Sequence, residues 1–230
     1  MPLKKPLFML VIGLIILLSA CSGESTEEKI HNHLEEAVAL EQDFEDVQSE
    51  ITKLEKQEQE LYSQIIDLGM DEFDKIKELS DEAIGVIDER AEKITAEKES
   101  IEASQEEFNQ TKDLIENLED GDLKNKALSM YDVMEKRYKA YDTLNGAYSE
   151  SLKLEKELYA MLKKEDLQQE ELTGQINKIN ESYEQVLNAN DQFNEATVEY
   201  NALKKEFYEQ AGIEVTYEEN PSSGNTEEKE

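Results

Sequence analysis

Apolar residues return every seven positions along most of this chain. In the first stretch Leu40, Val47, Leu54, Leu61 and Leu68 share one heptad position. Phe44, Ile51 and Ile65 share the position four residues further on, with Glu58 as the exception. In the second stretch Phe73, Ile87, Ile94, Ile101, Phe108 and Ile115 fall on one series, broken at Ser80. In the last, Leu172, Ile179, Val186, Phe193, Tyr200 and Phe207 do the same without a break. Such spacing places each series on one face of a helix and favours a left-handed supercoil. A disordered acidic chain has no reason to hold that register.

The interruptions predict where the helices turn. Leu68-Gly69-Met70-Asp71 ends the first helix at a glycine and offers Asp71 as the next N-cap. Glu119-Asp120-Gly121-Asp122 does the same between the second and third. Lys163-Lys164-Glu165-Asp166 lacks a glycine, but lysines suit a helix C-terminus and Asp166 suits an N-cap. The last helix is expected to end near Ala211-Gly212. Four helices of about 40 to 48 residues follow, each about 60–70 Å long at the α-helical rise. Short loops fold each helix back beside its predecessor. The predicted fold is all-α, an elongated four-helix up-and-down, coiled-coil-like bundle over residues 29–212. A longer rod with kinks is the alternative.

Not every seam position is apolar. Beside the second series lie Arg90, Glu97, Ser104 and Thr111 before Leu118. The last helix offers Ile176, Tyr183, Asn190, Thr197 and Lys204. Polar residues at such positions cost stability but fix register; a slender, wet bundle is expected, with a binding groove as the other reading. The third helix carries Tyr131, Tyr138, Tyr141, Tyr148 and Tyr159. Tyrosine suits a half-buried role, and core packing is the first expectation for these five. Exposed, the same stripe would serve recognition of a sugar or a peptide. Residues 213–230 are expected to be an extended or disordered acidic tail, in which Ile213 to Tyr217 alternate like a strand.

The N-terminus changes the picture. Lys4 and Lys5 precede an uncharged apolar run from Pro6 to Leu18, followed by Ser19-Ala20-Cys21. That is the basic, apolar and small-residue order of an export signal, and the run is shorter than the ~20 residues a spanning helix needs. The segment resembles a bacterial lipoprotein signal with Cys21 as the lipidated residue. Residues 1–20 would then be the signal peptide and 21–28 a lipidated tether. A diacyl anchor is stable where a single chain is marginal. The expected location is the extracytoplasmic face of the cell membrane, lipid-anchored. Cys21 is the chain's one cysteine, so no disulfide framework and no cysteine-based zinc site is expected.

Charge narrows the function classes. The chain carries 56 Asp and Glu against 24 Lys and Arg, a net charge of −32. Loss of Lys4 and Lys5 with the signal makes the remainder −34. No basic patch stands out, and nucleic-acid binding is not expected. His31 and His33 are two apart, so a helix points them in different directions and no metal site is expected. No nucleophile elbow, metalloprotease motif or phosphate-gripping loop occurs. The reading is no enzyme and no cofactor.

Two blocks carry a family resemblance. One runs from Glu72 to Ile84 (EFDKIKELSDEAI) and continues as Ile87-Asp88-Glu89-Arg90. The other runs from Tyr131 to Tyr141 (YDVMEKRYKAY) and continues as Glu155-Lys156-Glu157-Leu158-Tyr159. Together with the lipoprotein signal they resemble the YkyA-like cell-wall-binding lipoproteins of Gram-positive bacteria. The resemblance implies a membrane-anchored four-helical bundle outside the cytoplasm and carries no catalytic residues. A binding or scaffold module at the membrane–wall interface is the expected function, its partner a cell-wall glycan or an envelope protein. A passive spacer without a ligand is the alternative.

Overall fold

The computed structural model describes residues 24–215 of the chain. Residues 1–23, which hold the expected signal segment and Cys21, and residues 216–230 lie outside them. Within the described residues the protein is all-α, with no strand. Its helices are α1 (Thr26–Leu40), α2 (Asp43–Ile66), α3 (Phe73–Phe108), α4 (Thr111–Glu116), α5 (Asp122–Leu162) and α6 (Gln169–Ala211). They form four antiparallel columns: α1 with α2, α3 with α4, α5, and α6. Cross-links fix the direction. The Ser100 hydroxyl donates to the Leu40 carbonyl at 2.5 Å, and Arg90 reaches back to Glu58. Asn145 donates to the Ile94 carbonyl at 3.1 Å, and Lys156 pairs with Asp88 at 2.5 Å.

The glycine-marked turns fall where the sequence places them, but the caps differ. Asp71 lies inside a single 3₁₀ turn, Met70–Glu72, and Glu72 occupies the α3 N-cap without a side-chain bond. Gly121 sits at the α5 N-cap, and Gln168, not Asp166, at that of α6. At α1 a true capping box forms instead: Ser25 accepts from the Glu28 amide, and the Glu28 carboxylate accepts from the Ser25 amide. The helix therefore begins at Thr26, inside the segment expected as tether. Gly212 closes α6 with φ 71°, and the Ile213 amide donates to the Tyr208 carbonyl at 3.0 Å. A left-handed residue of this kind is the ordinary place for glycine. Ile213 and Val215 then pack, half-buried, against the core in no regular structure.

The four long helices are also not all continuous. The first column breaks at Glu41-Gln42 and the second at Asn109-Gln110. Neither site holds glycine or proline. Across the first break the buried face is Ile30, Leu34 and Ala37, then Ile51, Glu58 and Ile65. Leu40, which the heptad count places on a seam, is exposed.

Two core clusters fill the bundle. The proximal one, at the end where α1 starts and α6 finishes, is rich in rings, including Phe108, Tyr138, Tyr141, Phe193, Tyr200 and Phe207. It draws on every column. The distal one is largely aliphatic, built on Ile51, Ile65, Leu79, Ile87, Ile94 and Leu152, and it draws on α2, α3 and α5. There α6 packs on α5, while α2 packs on α3. The fourth side of the bundle, between α2 and α6, stays open.

Candidate functional site

The open side is a groove walled by α2 and α6 and floored by α3 and α5. Its deeper part is a cavity of about 770 Å³ that includes Gln59, Tyr62, Arg90, Tyr148, Ile176 and Tyr183 in its lining. A second part of about 480 Å³ extends it towards Phe44, Asn145, Asn190 and Phe193. Thr52, Glu55, Tyr148, Val186 and Leu187 line both, so the two are one channel. Along the α6 rim Tyr183 is 42% exposed and Leu187 64%. Val198, about three turns further along α6 and outside the groove, is exposed as well.

Arg90 stands at the centre of the floor, 4% exposed. One Nη donates to Glu58 and, at 2.8 Å, to Glu155. The other donates to the Tyr148 hydroxyl at 2.7 Å and reaches Glu55 at 3.4 Å. Tyr148 in turn donates to Glu55 at 2.6 Å, and Ser151 donates to Glu155 at 3.0 Å. Three carboxylates thus share one guanidinium. Burial, followed by the neighbouring Glu155 carboxylate, pushes Glu58 up to about 7. Burial opposes the charge on Arg90, but Glu155, Tyr148 and Glu58 outweigh it and raise its pKa. The Tyr148, Tyr159 and Tyr183 hydroxyls are pushed up by burial and stay protonated.

A second buried arginine shows a different design. Arg137, on α5 in the proximal half, makes a two-pronged pair with Glu41 at 2.9 and 2.6 Å. It also donates to Thr197 at 3.0 Å and lies 4.7 Å over the Phe193 ring. Ser104 donates to Glu41 at 2.7 Å and pairs with the Tyr138 hydroxyl at 2.9 Å. Here one arginine meets one carboxylate, and every arm is occupied. Glu41 is the α1 C-cap residue, so this network sits at the break in the first column.

The five tyrosines do not share a surface. Tyr138, Tyr141 and Tyr159 are buried. Tyr131 is half-buried, stacked on Phe108 with ring centroids 5.1 Å apart. Tyr148 is half-buried and belongs to the groove floor. The groove's most open ring is Tyr183, on α6, which the polar seam of that helix contains and the α5 stripe does not. His31 packs edge-on to Tyr208, and His33 pairs with Glu107 at 2.6 Å, so the two imidazoles diverge. Among the described residues no group of three His, Cys, Asp or Glu is placed to hold a metal ion, and no helix is long and apolar enough to cross a membrane.

The ionisable groups of the groove floor hold one another; the α6 wall presents Ile176, Ile179, Val186 and Leu187, and the α2 wall is mostly polar, with Gln48, Thr52, Glu55, Lys56 and Gln59. Comparison with known proteins agrees on the kind of chain this is. A family model described as "Putative cell-wall binding lipoprotein" (YkyA) matches residues 25–210. The uncharacterized lipoprotein YkyA of Bacillus subtilis (strain 168) is 36% identical over 203 residues, covering 88% of this chain and 91% of that one. The crystal structure of a conserved protein of unknown function from Staphylococcus aureus superposes with a TM-score of 0.70. That match covers 80% of this chain and 95% of the other at 16% identity, a likeness of fold alone. With the family pattern running through all four columns, this chain belongs to the YkyA lipoprotein family.

Proposed function

We propose that this protein is a non-catalytic binding module, lipidated at Cys21 and held on the extracytoplasmic face of the cell membrane, that engages a wall or envelope partner through the α2–α6 groove. The observation that carries this reading is the groove itself: the distal half leaves one side of its bundle unpacked, with Tyr183 and Leu187 exposed on the rim. The family's description, "Putative cell-wall binding lipoprotein", supports the same class. The sequence from Lys4 to Cys21 supports the anchor.

A photo-crosslinking residue at Leu187, compared on live cells with one at exposed Glu92 on α3, tests the binding role. Adducts at the groove position that are missing at the control support it; none at either would favour a passive spacer, the reading favoured by the closed proximal half. Cys21→Ser should release the chain from the membrane fraction. A mutant still processed and detergent-extracted from membranes would remove the anchor from the proposal.

A further inference from the structure

The groove floor holds more acid than its one arginine neutralises, and the acid comes from two columns. Glu55 and Glu58 reach Arg90 from α2, and Glu155 reaches it from α5. Arg90 itself stands on α3. The phenols of Tyr148 and Tyr159 on α5, and of Tyr183 on α6, face the same carboxylates and stay protonated. Lys56 lines the cavity from the α2 rim, where it is exposed. With all three carboxylates ionised, the guanidinium leaves two negative charges in excess. Glu58 and Glu155 are buried, so their mutual repulsion is stronger than in water.

The α2 helix is placed to respond to that repulsion. It packs on α3, with the open groove between it and α6. At its start is the break at Glu41-Gln42, which Arg137 pins through the Glu41 carboxylate. At its end is the turn at Gly69. Between these two points the helix is one straight-through segment, free to roll on α3. Repulsion between Glu58 and Glu155 pushes it away from α5.

We infer that the α2 wall is a proton-controlled jaw: one proton held between Glu58 and Glu155 keeps α2 against the floor, and its loss swings α2 outward and widens the groove. As the control of a binding site, the jaw rests on the groove being the binding surface proposed above; as a movement it does not.

The proton belongs to the pair rather than to either residue. Burial and the Glu155 carboxylate push Glu58 up to about 7 in the closed position. Swung into water, Glu58 returns towards its ordinary 4.5. Protons therefore bind the closed position more tightly, and acid favours it. The difference bounds the shift in the ratio of closed to open at about 300-fold.

The test measures the width of the groove in the mature chain in detergent, with Cys21 lipidated as proposed above. Spin labels are placed on Gln59→Cys and Asn180→Cys, both exposed residues of the groove lining on opposite walls. A control pair, Glu36→Cys and Asn201→Cys, spans the closed proximal half on α1 and α6. From about pH 8.5 to about pH 5.5 the groove pair should move to shorter distances with a midpoint near 7, while the control pair stays fixed. Glu155→Gln leaves Glu58 and Arg90 as a one-to-one pair and should hold the short distance at both ends of the range. An unchanged groove distance, a shift that Glu155→Gln preserves, or equal movement of both pairs would overturn the jaw. So would a loss of helical circular dichroism alongside the lengthening, which would mean that α2 unfolds instead of swinging. Crosslinking from Leu187 on cells, run at the same two pH values, separates the two readings. If the distance shifts and Leu187 captures nothing, the jaw stands and the binding role falls. If the distance is fixed and Leu187 still crosslinks, the jaw falls and the binding role stands.

Discussion

The two halves of this bundle solve the same problem differently. In the proximal half α6 reaches the first column with rings and charge: Tyr208 donates to Glu35 of α1 at 2.8 Å, Lys204 pairs with the same carboxylate at 2.8 Å, and Phe193 meets Phe44 at the start of α2 with centroids 6.2 Å apart. In the distal half the equivalent seam of α6 holds Ile176 and Tyr183, and α2 answers with Thr52, Glu55 and Gln59. The buried arginines repeat the contrast, with a one-to-one pair at Arg137–Glu41 and one guanidinium among three carboxylates at Arg90. One half is finished as a core; the other keeps surplus charge and unpacked apolar surface. Along α6 one heptad series changes with the halves, from Leu172, Ile179 and Val186 in the distal half to Phe193, Tyr200 and Phe207 in the closed core.

The largest expected effect breaks the closed half outright. Ile101→Asp puts an unpaired charge into a site 2% exposed and should cost more than about 4 kcal/mol. Glu102→Lys, off that face, should change little. Equal losses in chemical melts would mean that the seam of α3 is not where the structure has it.

Next come the arginine partners. Glu41→Ala strands Arg137 in the core and should cost about 3–5 kcal/mol, with hydrogen exchange rising around the α1–α2 break. Glu55→Ala should cost less than about 1 kcal/mol, because Arg90 keeps Glu58 and Glu155 and because Glu55 is partly exposed. Comparable losses from the two would erase the distinction between a saturated and an over-supplied arginine.

The pH dependence sharpens the same point. Glu58 is pushed up to about 7 from an ordinary 4.5, so the folded state holds its proton more tightly than the unfolded one. Stability from this group is therefore fully present at low pH and lost as pH rises from about 4.5 to about 7. Burial pushes Glu97 in the same direction. Glu58→Gln should flatten the slope by an amount on the order of 1–3 kcal/mol across that window. An unchanged slope would show that Arg90 neutralises Glu58 in full.

The smallest effect is a gain. The Ser80 hydroxyl is buried and meets no hydrogen-bond partner among the described residues. Ser80→Ala should raise stability by up to about 1 kcal/mol, and a loss in thermal melts would reveal a partner for that hydroxyl.

Much of the fold was legible. The series Ile87, Ile94, Ile101, Phe108 and Ile115 is buried throughout, and Gly69, Gly121 and Gly212 mark real helix ends. The break at Glu41-Gln42 was not, because its partner Arg137 lies 96 residues away and no local residue announces it. The seam of Arg90, Glu97, Ser104 and Thr111 read correctly as polar, and all four are buried. That Arg90 meets Glu58 and Glu155 depends on the stagger between columns, which a heptad repeat leaves undetermined. Glu58 read as a lapse in an apolar series for the same reason. The groove was hardest to foresee, since it arises from contacts that α2 and α6 do not make. Its one local trace was the polar and aromatic run Tyr183, Asn190 and Thr197 on the last helix.

Both described ends of the chain lie at the proximal end, and this sets a height. Cys21 stands four positions before the Ser25 cap, a reach of at most about 14 Å. From Thr26 to Phe44 the first column climbs about 27 Å before the groove begins. For a chain tethered at Cys21 and standing upright, the groove opens about a bilayer's hydrocarbon thickness above the lipid surface. A partner lying flat on that surface passes beneath it, whereas one that projects outward, or descends from the wall, meets it side-on.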